Sequence, residues 1–122
     1  MNKKFFEKII FSKKEIQDKI VELAEWINTK YKDSENLVLI STMLGSIPFS
    51  MDLSKHIDIV HELDFIGVKS YYGGKQQSDC IVVDKEIDVN IKGKDVVILE
   101  DIIDSGRTLE RIREILESRE PN

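Results

Sequence analysis

Apolar and polar residues alternate along this chain with two different periods. Ser12-Lys13-Lys14-Glu15 is a capping-box pattern, a serine followed three residues later by a glutamate. After it, Ile16, Ile20, Leu23, Ala24 and Ile27 recur at helical spacing, which predicts an amphipathic helix over about 13–30 with Trp26 at the edge of its apolar face. "NLVLIST" is a short continuous apolar run that fits a buried parallel strand. "MLGS" reads as a turn, and "IPFSMDLSKHI" as a helix with Pro48 in its first turn, where a missing amide does no harm. "VHELDFIGVKSYY" and "CIVVDKEI" are strand-like and flank a polar glycine-bearing loop, "GGKQQSD". "NIKGKD" is a turn, and "VVIL" is a further buried strand. "TLERIREILESR" closes the series as a helix with Leu109, Ile112, Ile115 and Leu116 on one face.

Strands alternating with helices predict an α/β fold, a largely parallel sheet flanked by helices. Ligands of such sheets sit outside the carboxyl ends of the strands. "MLGS" and "EDIIDSGRT" both follow apolar runs, so both loops are expected to open at that edge.

Length and charge narrow the class. A chain of 122 residues suits one domain, residues 1–122, with room for a real core. Hydrophobic residues make up 41% and charged residues 34%, a globular rather than a disordered balance. Net charge is -5 with no basic stripe, so nucleic acid is not an expected partner. Apolar runs are of strand length, too short to span a membrane. The start lacks a continuous apolar stretch and a cleavage site, and Cys80 has no second cysteine to pair with; both features point to the cytoplasm. His56 and His61 have no neighbours at metal-ligand spacing and read as structural or surface residues. Cys80 reads as a small buried hydrophobe.

The stretch "ILEDIIDSGRTL" poses a chemical question. Gly106 allows a turn that points successive amides inward, Ser105 and Thr108 add hydroxyls, and a helix starting near Thr108 offers its unpaired amides. Together they form a phosphate cup without a Walker lysine. An isolated Asp-Ser-Gly also reads as a plain helix cap by Asp104 or Ser105. Glu100 and Asp101 sit beside the cup, where a carboxylate would repel phosphate. Carboxylates, however, accept hydrogen bonds from a sugar diol and ligate magnesium through oxygen. Two acids for a ribose diol and amides for its 5-phosphate would serve different parts of one ligand.

"VVILEDIIDSGRTL" resembles the phosphoribosyl pyrophosphate signature of the purine phosphoribosyltransferases, and its Glu-Asp pair is similar to the hypoxanthine-guanine branch. "STMLGSIPFSMDL" resembles that family's pyrophosphate loop and following helix, and "ELDFIGVKSYYGG" its strand and mobile lid. The resemblance implies the type I phosphoribosyltransferase fold and a purine-salvage reaction. A 6-oxopurine, hypoxanthine or guanine, would displace pyrophosphate from phosphoribosyl pyrophosphate, giving IMP or GMP, with Mg2+ as cofactor. It also implies the roles. Glu100 and Asp101 would hold the ribose hydroxyls and, directly or indirectly, the metal. Asp104 would be the general acid/base near the purine N7. Asp104, Ser105, Gly106, Arg107 and Thr108 would bind the 5-phosphate, and Leu44, Gly45 and Ser46 the pyrophosphate. Ser70 and Tyr71 would form the lid. A homo-oligomer, dimer or tetramer, is expected.

Two departures stand against the family pattern. Leu44 occupies the place of the family's usual lysine, removing a charge-assisted contact worth roughly 1.5–3 kcal/mol if that lysine meets the ligand. The chain also stops soon after the signature. The family's C-terminal portion, which reads and stacks on the base, is expected to be missing, leaving an exposed sheet edge and uncovered apolar surface. A catalytically silent phosphoribosyl-pyrophosphate or nucleotide-binding module, or an inactive truncated product, is therefore the alternative to an enzyme. A receiver-type phosphoacceptor lacks a convincing acceptor-aspartate and lysine set.

Overall fold

The computed structural model describes residues 11–72, 79–103 and 106–122, and for 70–72, 79 and 80 the backbone alone. Its elements run α1 (Lys13–Lys30), β1 (Leu37–Thr42), α2 (Ile47–Lys55), β2 (His61–Tyr72), β3 (Asp79–Lys85), β4 (Asp95–Leu99) and α3 (Arg107–Glu117). The capping box forms as expected: the Ser12 hydroxyl accepts from the Glu15 amide at 3.1 Å, and Glu15 reaches back to Ser12. Pro48 falls in the first turn of α2. The glycine loop at 73–78 and residues 104 and 105 lie outside the described residues.

Four strands form one sheet in the order β3-β2-β1-β4. β1 is parallel to both β2 and β4, and β3 returns antiparallel to β2. This is the largely parallel sheet the pattern predicts. All six residues of β1 are buried because both its edges and both its faces are covered. Side chains alternate across the strand. Leu37 and Leu39 join Ile20, Ala24 and Ile27 of α1 and Leu53 of α2 in one apolar cluster. Val38 and Ile40 join Ile66, Ile91, and Ile112 and Leu116 of α3 in another. So α1 and α2 cover one face and α3 the other, and each fully buried isoleucine contributes roughly 1.5–3 kcal/mol.

Two expectations need correction. The "VVIL" strand is not buried throughout: only Leu99 is, and the rest of β4 is half-buried. The reason is position, since β4 ends the sheet and among the described residues pairs only with β1. A groove of about 550 Å³ follows this rim, lined among others by Trp26, Tyr31, Val97, Ile98 and Leu109. Among the described residues this apolar edge is uncovered. The apolar face of α1 is also narrower than its spacing suggests. Ile20, Ala24 and Ile27 are buried, while Ile16 is 52% and Leu23 45% exposed. The contact with β1 and α2 covers only one side of the stripe.

Asp64 locks the sheet to the connection before β4. It is a buried acid on β2, and its carboxylate accepts from the Asp88 and Val89 amides at 2.7 and 3.0 Å. Lys85 Nζ stands 3.6 Å away. Desolvation pushes its pKa up, but the three backbone donors and Lys85 together outweigh it, so the carboxyl is held below the usual range.

Candidate functional site

The register of the strands builds the site. Ser41 of β1 is paired with Leu99 of β4, so the two chains leave the sheet side by side at its carboxyl edge. From β1 the chain enters the turn Met43-Leu44-Gly45-Ser46 and then α2. From β4 it passes directly into Glu100 and Asp101. The turn is anchored on its other side by the Met43 amide, which donates to Ile66 O on β2 at 2.9 Å.

The turn and the acid pair meet at one atom. Ser46 Oγ donates toward Glu100 Oε1 at 3.0 Å and Asp101 Oδ1 at 2.9 Å. The Asp101 amide donates back to the same oxygen at 3.1 Å. Thr42 Oγ1 lies 2.7 Å from it. A hydroxyl carries one proton and two lone pairs. With its proton shared between the carboxylates, its lone pairs take the Asp101 N–H and the Thr42 O–H, and every valence is used. Gly45 lies against the same carboxylate, since a Cβ there would stand 3.4 Å from Asp101 Oδ2. Beneath, Ser50 Oγ donates to Ser41 Oγ at 2.6 Å, so the buried polar groups under the turn are also paired.

This arrangement tunes Asp101. Its carboxyl is held below the usual range, first by the Ser46 hydroxyl, against the opposing effect of desolvation, and further by the Glu100 carboxyl and the amides of Asp101 and Ile102. Asp101 stays ionised and exposed, with Glu100 half-buried beside it.

The expected site residues fall as follows. Glu100, Asp101, Gly45 and Ser46 are brought together. Leu44 is 69% exposed at the tip of its turn. Gly106, at φ 82°, precedes α3, whose first residues are Arg107 and Thr108. The helix therefore starts one residue earlier than the pattern suggested. A left-handed glycine thus leads directly into the positive end of a helix, a geometry that suits an anion. Asp104 and Ser105 lie outside the described residues. Ser70 and Tyr71 lie near the end of β2, their backbone paired with Ile81 and Cys80 of β3. Thr42 was not anticipated. Its signal was a hydroxyl ending an apolar run at the edge where the acids emerge. His61 reads as a structural residue: Ser54 Oγ lies 2.7 Å from one ring nitrogen and Ile59 O 2.6 Å from the other.

As a magnesium site, the donor set fits in kind. Glu100 and Asp101 present hard carboxylate oxygens, and magnesium commonly takes one or two carboxylates and completes its shell with substrate phosphates and water. Among the described residues no group of three or more His, Cys, Asp or Glu could hold a metal alone. The pair thus suits an ion carried with a phosphorylated ligand rather than a caged one. Among the described residues no helix is long and apolar enough to cross a membrane.

Comparison with known proteins places the chain in a family. The family model "Phosphoribosyl transferase domain" matches residues 8–122. The chain is 40% identical over 116 residues to a hypoxanthine-guanine phosphoribosyltransferase of Streptococcus pyogenes, covering 95% of this chain and 64% of that protein. It is 42% identical over 114 residues to the hypoxanthine phosphoribosyltransferase of Escherichia coli, covering 93% and 64%. Among solved structures, the hypoxanthine-guanine phosphoribosyltransferase of Bacillus anthracis superposes with a TM-score of 0.84 at 36% identity, covering 94% of this chain and 65% of that one. A mutant hypoxanthine phosphoribosyltransferase of Trypanosoma cruzi, complexed with the product IMP, gives 0.86 at 32%, covering 99% and 66%. The chain thus spans about 64% of the length of the curated relatives it matches.

Proposed function

The chain belongs to the phosphoribosyl transferase domain family, and on that premise we propose that it serves purine salvage. The reaction is transfer of a phosphoribosyl group from phosphoribosyl pyrophosphate to hypoxanthine or guanine, giving IMP or GMP and pyrophosphate. The observation that carries the reading is the acid pair and the 43–46 turn joined at Ser46 Oγ, with Glu100 Oε1 and Asp101 Oδ1 at 3.0 and 2.9 Å. The relatives named hypoxanthine-guanine phosphoribosyltransferase support the choice of base.

In this reading a purine ring nitrogen bonds to the sugar's anomeric carbon as the carbon–oxygen bond to pyrophosphate breaks. Glu100 and Asp101 accept hydrogen bonds from the ribose hydroxyls and fix the sugar's orientation. Amides at Gly106, Arg107 and Thr108, with Ser105 and the backbone near Asp104, hold the 5-phosphate. Leu44, Gly45 and Ser46 form the pyrophosphate turn. Asp104 takes or returns the purine proton. Ser70 and Tyr71 shield the activated sugar from water. Magnesium, when bound, offsets the charge of the departing pyrophosphate. A single domain over residues 1–122, a cytoplasmic location and a homo-oligomeric state complete the proposal, the last checked by sedimentation equilibrium.

The test is direct. Incubated with hypoxanthine or guanine, phosphoribosyl pyrophosphate and magnesium, the protein yields IMP or GMP, detected chromatographically. Absence of product together with absence of magnesium-dependent binding of the sugar pyrophosphate rejects the proposal. Binding without turnover assigns a silent binding module instead.

A further inference from the structure

We propose that Ser46 is a positioning residue, whose buried hydroxyl holds Glu100 and Asp101 in fixed alignment with the 43–46 turn. This deepens the phosphoribosyl-transfer reading and rests on it for its functional consequence. Three observations carry it. First, Ser46 is 1% exposed. All hydrogen-bonding capacity of its hydroxyl is taken by Glu100, Asp101 and Thr42, so the hydroxyl is turned to the protein rather than to a ligand. Second, Ser46 is the N-cap of α2, where a serine ordinarily accepts from a first-turn amide. Its side chain makes no such bond. The helix forgoes that cap, and the hydroxyl serves the acids instead. Third, the link joins segments 55 residues apart in sequence, and Gly45 packs on the same carboxylate from the neighbouring position.

The physical consequence is preorganisation. Two adjacent carboxylates repel each other, and without a shared donor they spread into separate rotamers. One hydroxyl pointing at both holds them together as a pair. The turn that would receive pyrophosphate is then set at a fixed distance from the acids that would receive the diol of the same sugar. A misplacement of about 1 Å can cost roughly a hundredfold in a positioned reaction.

Ser46→Ala tests this against Ser50→Ala, which deletes a buried hydroxyl from the same helix that bonds Ser41 and not the acids. Two readouts are needed: affinity for phosphoribosyl pyrophosphate with magnesium by calorimetry, and hydrogen exchange of the Asp101 amide by NMR. We expect Ser46→Ala to weaken binding about tenfold and to speed Asp101 exchange, with Ser50→Ala within twofold of wild type on both. Equal behaviour of the two variants overturns the proposal. If wild type binds no sugar pyrophosphate, the transferase reading fails, and the exchange data alone judge the positioning role: unchanged Asp101 protection in Ser46→Ala refutes it, and selective loss upholds it. Should Ser46→Ala fail to fold, Thr42→Val removes the donor 2.7 Å from Ser46 Oγ without touching either acid. Faster Asp101 exchange in that variant supports the link, and wild-type exchange overturns it.

Discussion

Glu100 and Asp101 differ in what they stand to lose. Asp101 takes a donor from Ser46 and from its own backbone and is exposed, while Glu100 is half-buried and shares only the Ser46 proton among these contacts. Each replacement by the neutral amide, Glu100→Gln or Asp101→Asn, removes one charged acceptor from the proposed diol site. A charged hydrogen bond is worth roughly 1.5–3 kcal/mol, so each variant is expected to bind phosphoribosyl pyrophosphate about ten- to a hundredfold more weakly by calorimetry. Leu44 offers the opposite experiment. It is 69% exposed, so a lysine fits there without cost to the core. Leu44→Lys is expected to tighten sugar pyrophosphate binding by about tenfold, and unchanged affinity would show that the tip of the turn does not face the anion. None of these contacts was legible as geometry in the sequence. The acids and the turn were, as residue types in the right order. Their meeting at a serine oxygen depends on the parallel pairing of β1 with β4, which no local pattern encodes.

Elements with a strong local signature came out of the pattern nearly intact. α1 carries a capping box at one end and a helical repeat through its length, and α2 has proline in its first turn. The misreadings share one cause: periodicity reports that a face is apolar, not whether anything covers it. β4 and the flank of α1 look buried in sequence and are partly bare in the fold. Two variants test the elements themselves. Ile112, 0% exposed, anchors α3 to the sheet. Ile112→Ala is expected to cost about 2–5 kcal/mol in urea unfolding. Gly67 sits where β2 and β3 shift register, and a Cβ there would collide with the Asp84 carboxylate and press on Lys85 Cβ at 3.2 Å. Gly67→Ala is therefore expected to destabilise by about 1–3 kcal/mol, read from the same unfolding curve.

Across the whole molecule, acid should loosen the fold through two carboxylates. Asp64 is held below its ordinary pKa by backbone amides and Lys85, despite the opposing pull of burial. Asp95 is lowered by Ser34, whose Oγ donates at 2.6 Å, and by Asn122, whose side-chain amide donates at 2.8 Å. A carboxyl with a lowered folded pKa stabilises above its unfolded value, 3.8, and that contribution disappears as pH falls through the folded value. The melting temperature is thus expected to drop below about pH 4, and an Asp64→Asn variant to show a shallower drop by calorimetry. The α/β class and the largely parallel sheet follow from the sequence pattern, whereas the strand order and these long-range acid clasps could be seen only in the folded chain. Among the described residues, the outer side of β4 pairs with no strand. Its peptide groups run along the sheet, while Glu100, Asp101 and the turn before α2 project from the strand tips. Lateral growth of the sheet and events at its tips are thus geometrically independent, and a segment laid along that flank would leave the acid pair and its turn in place.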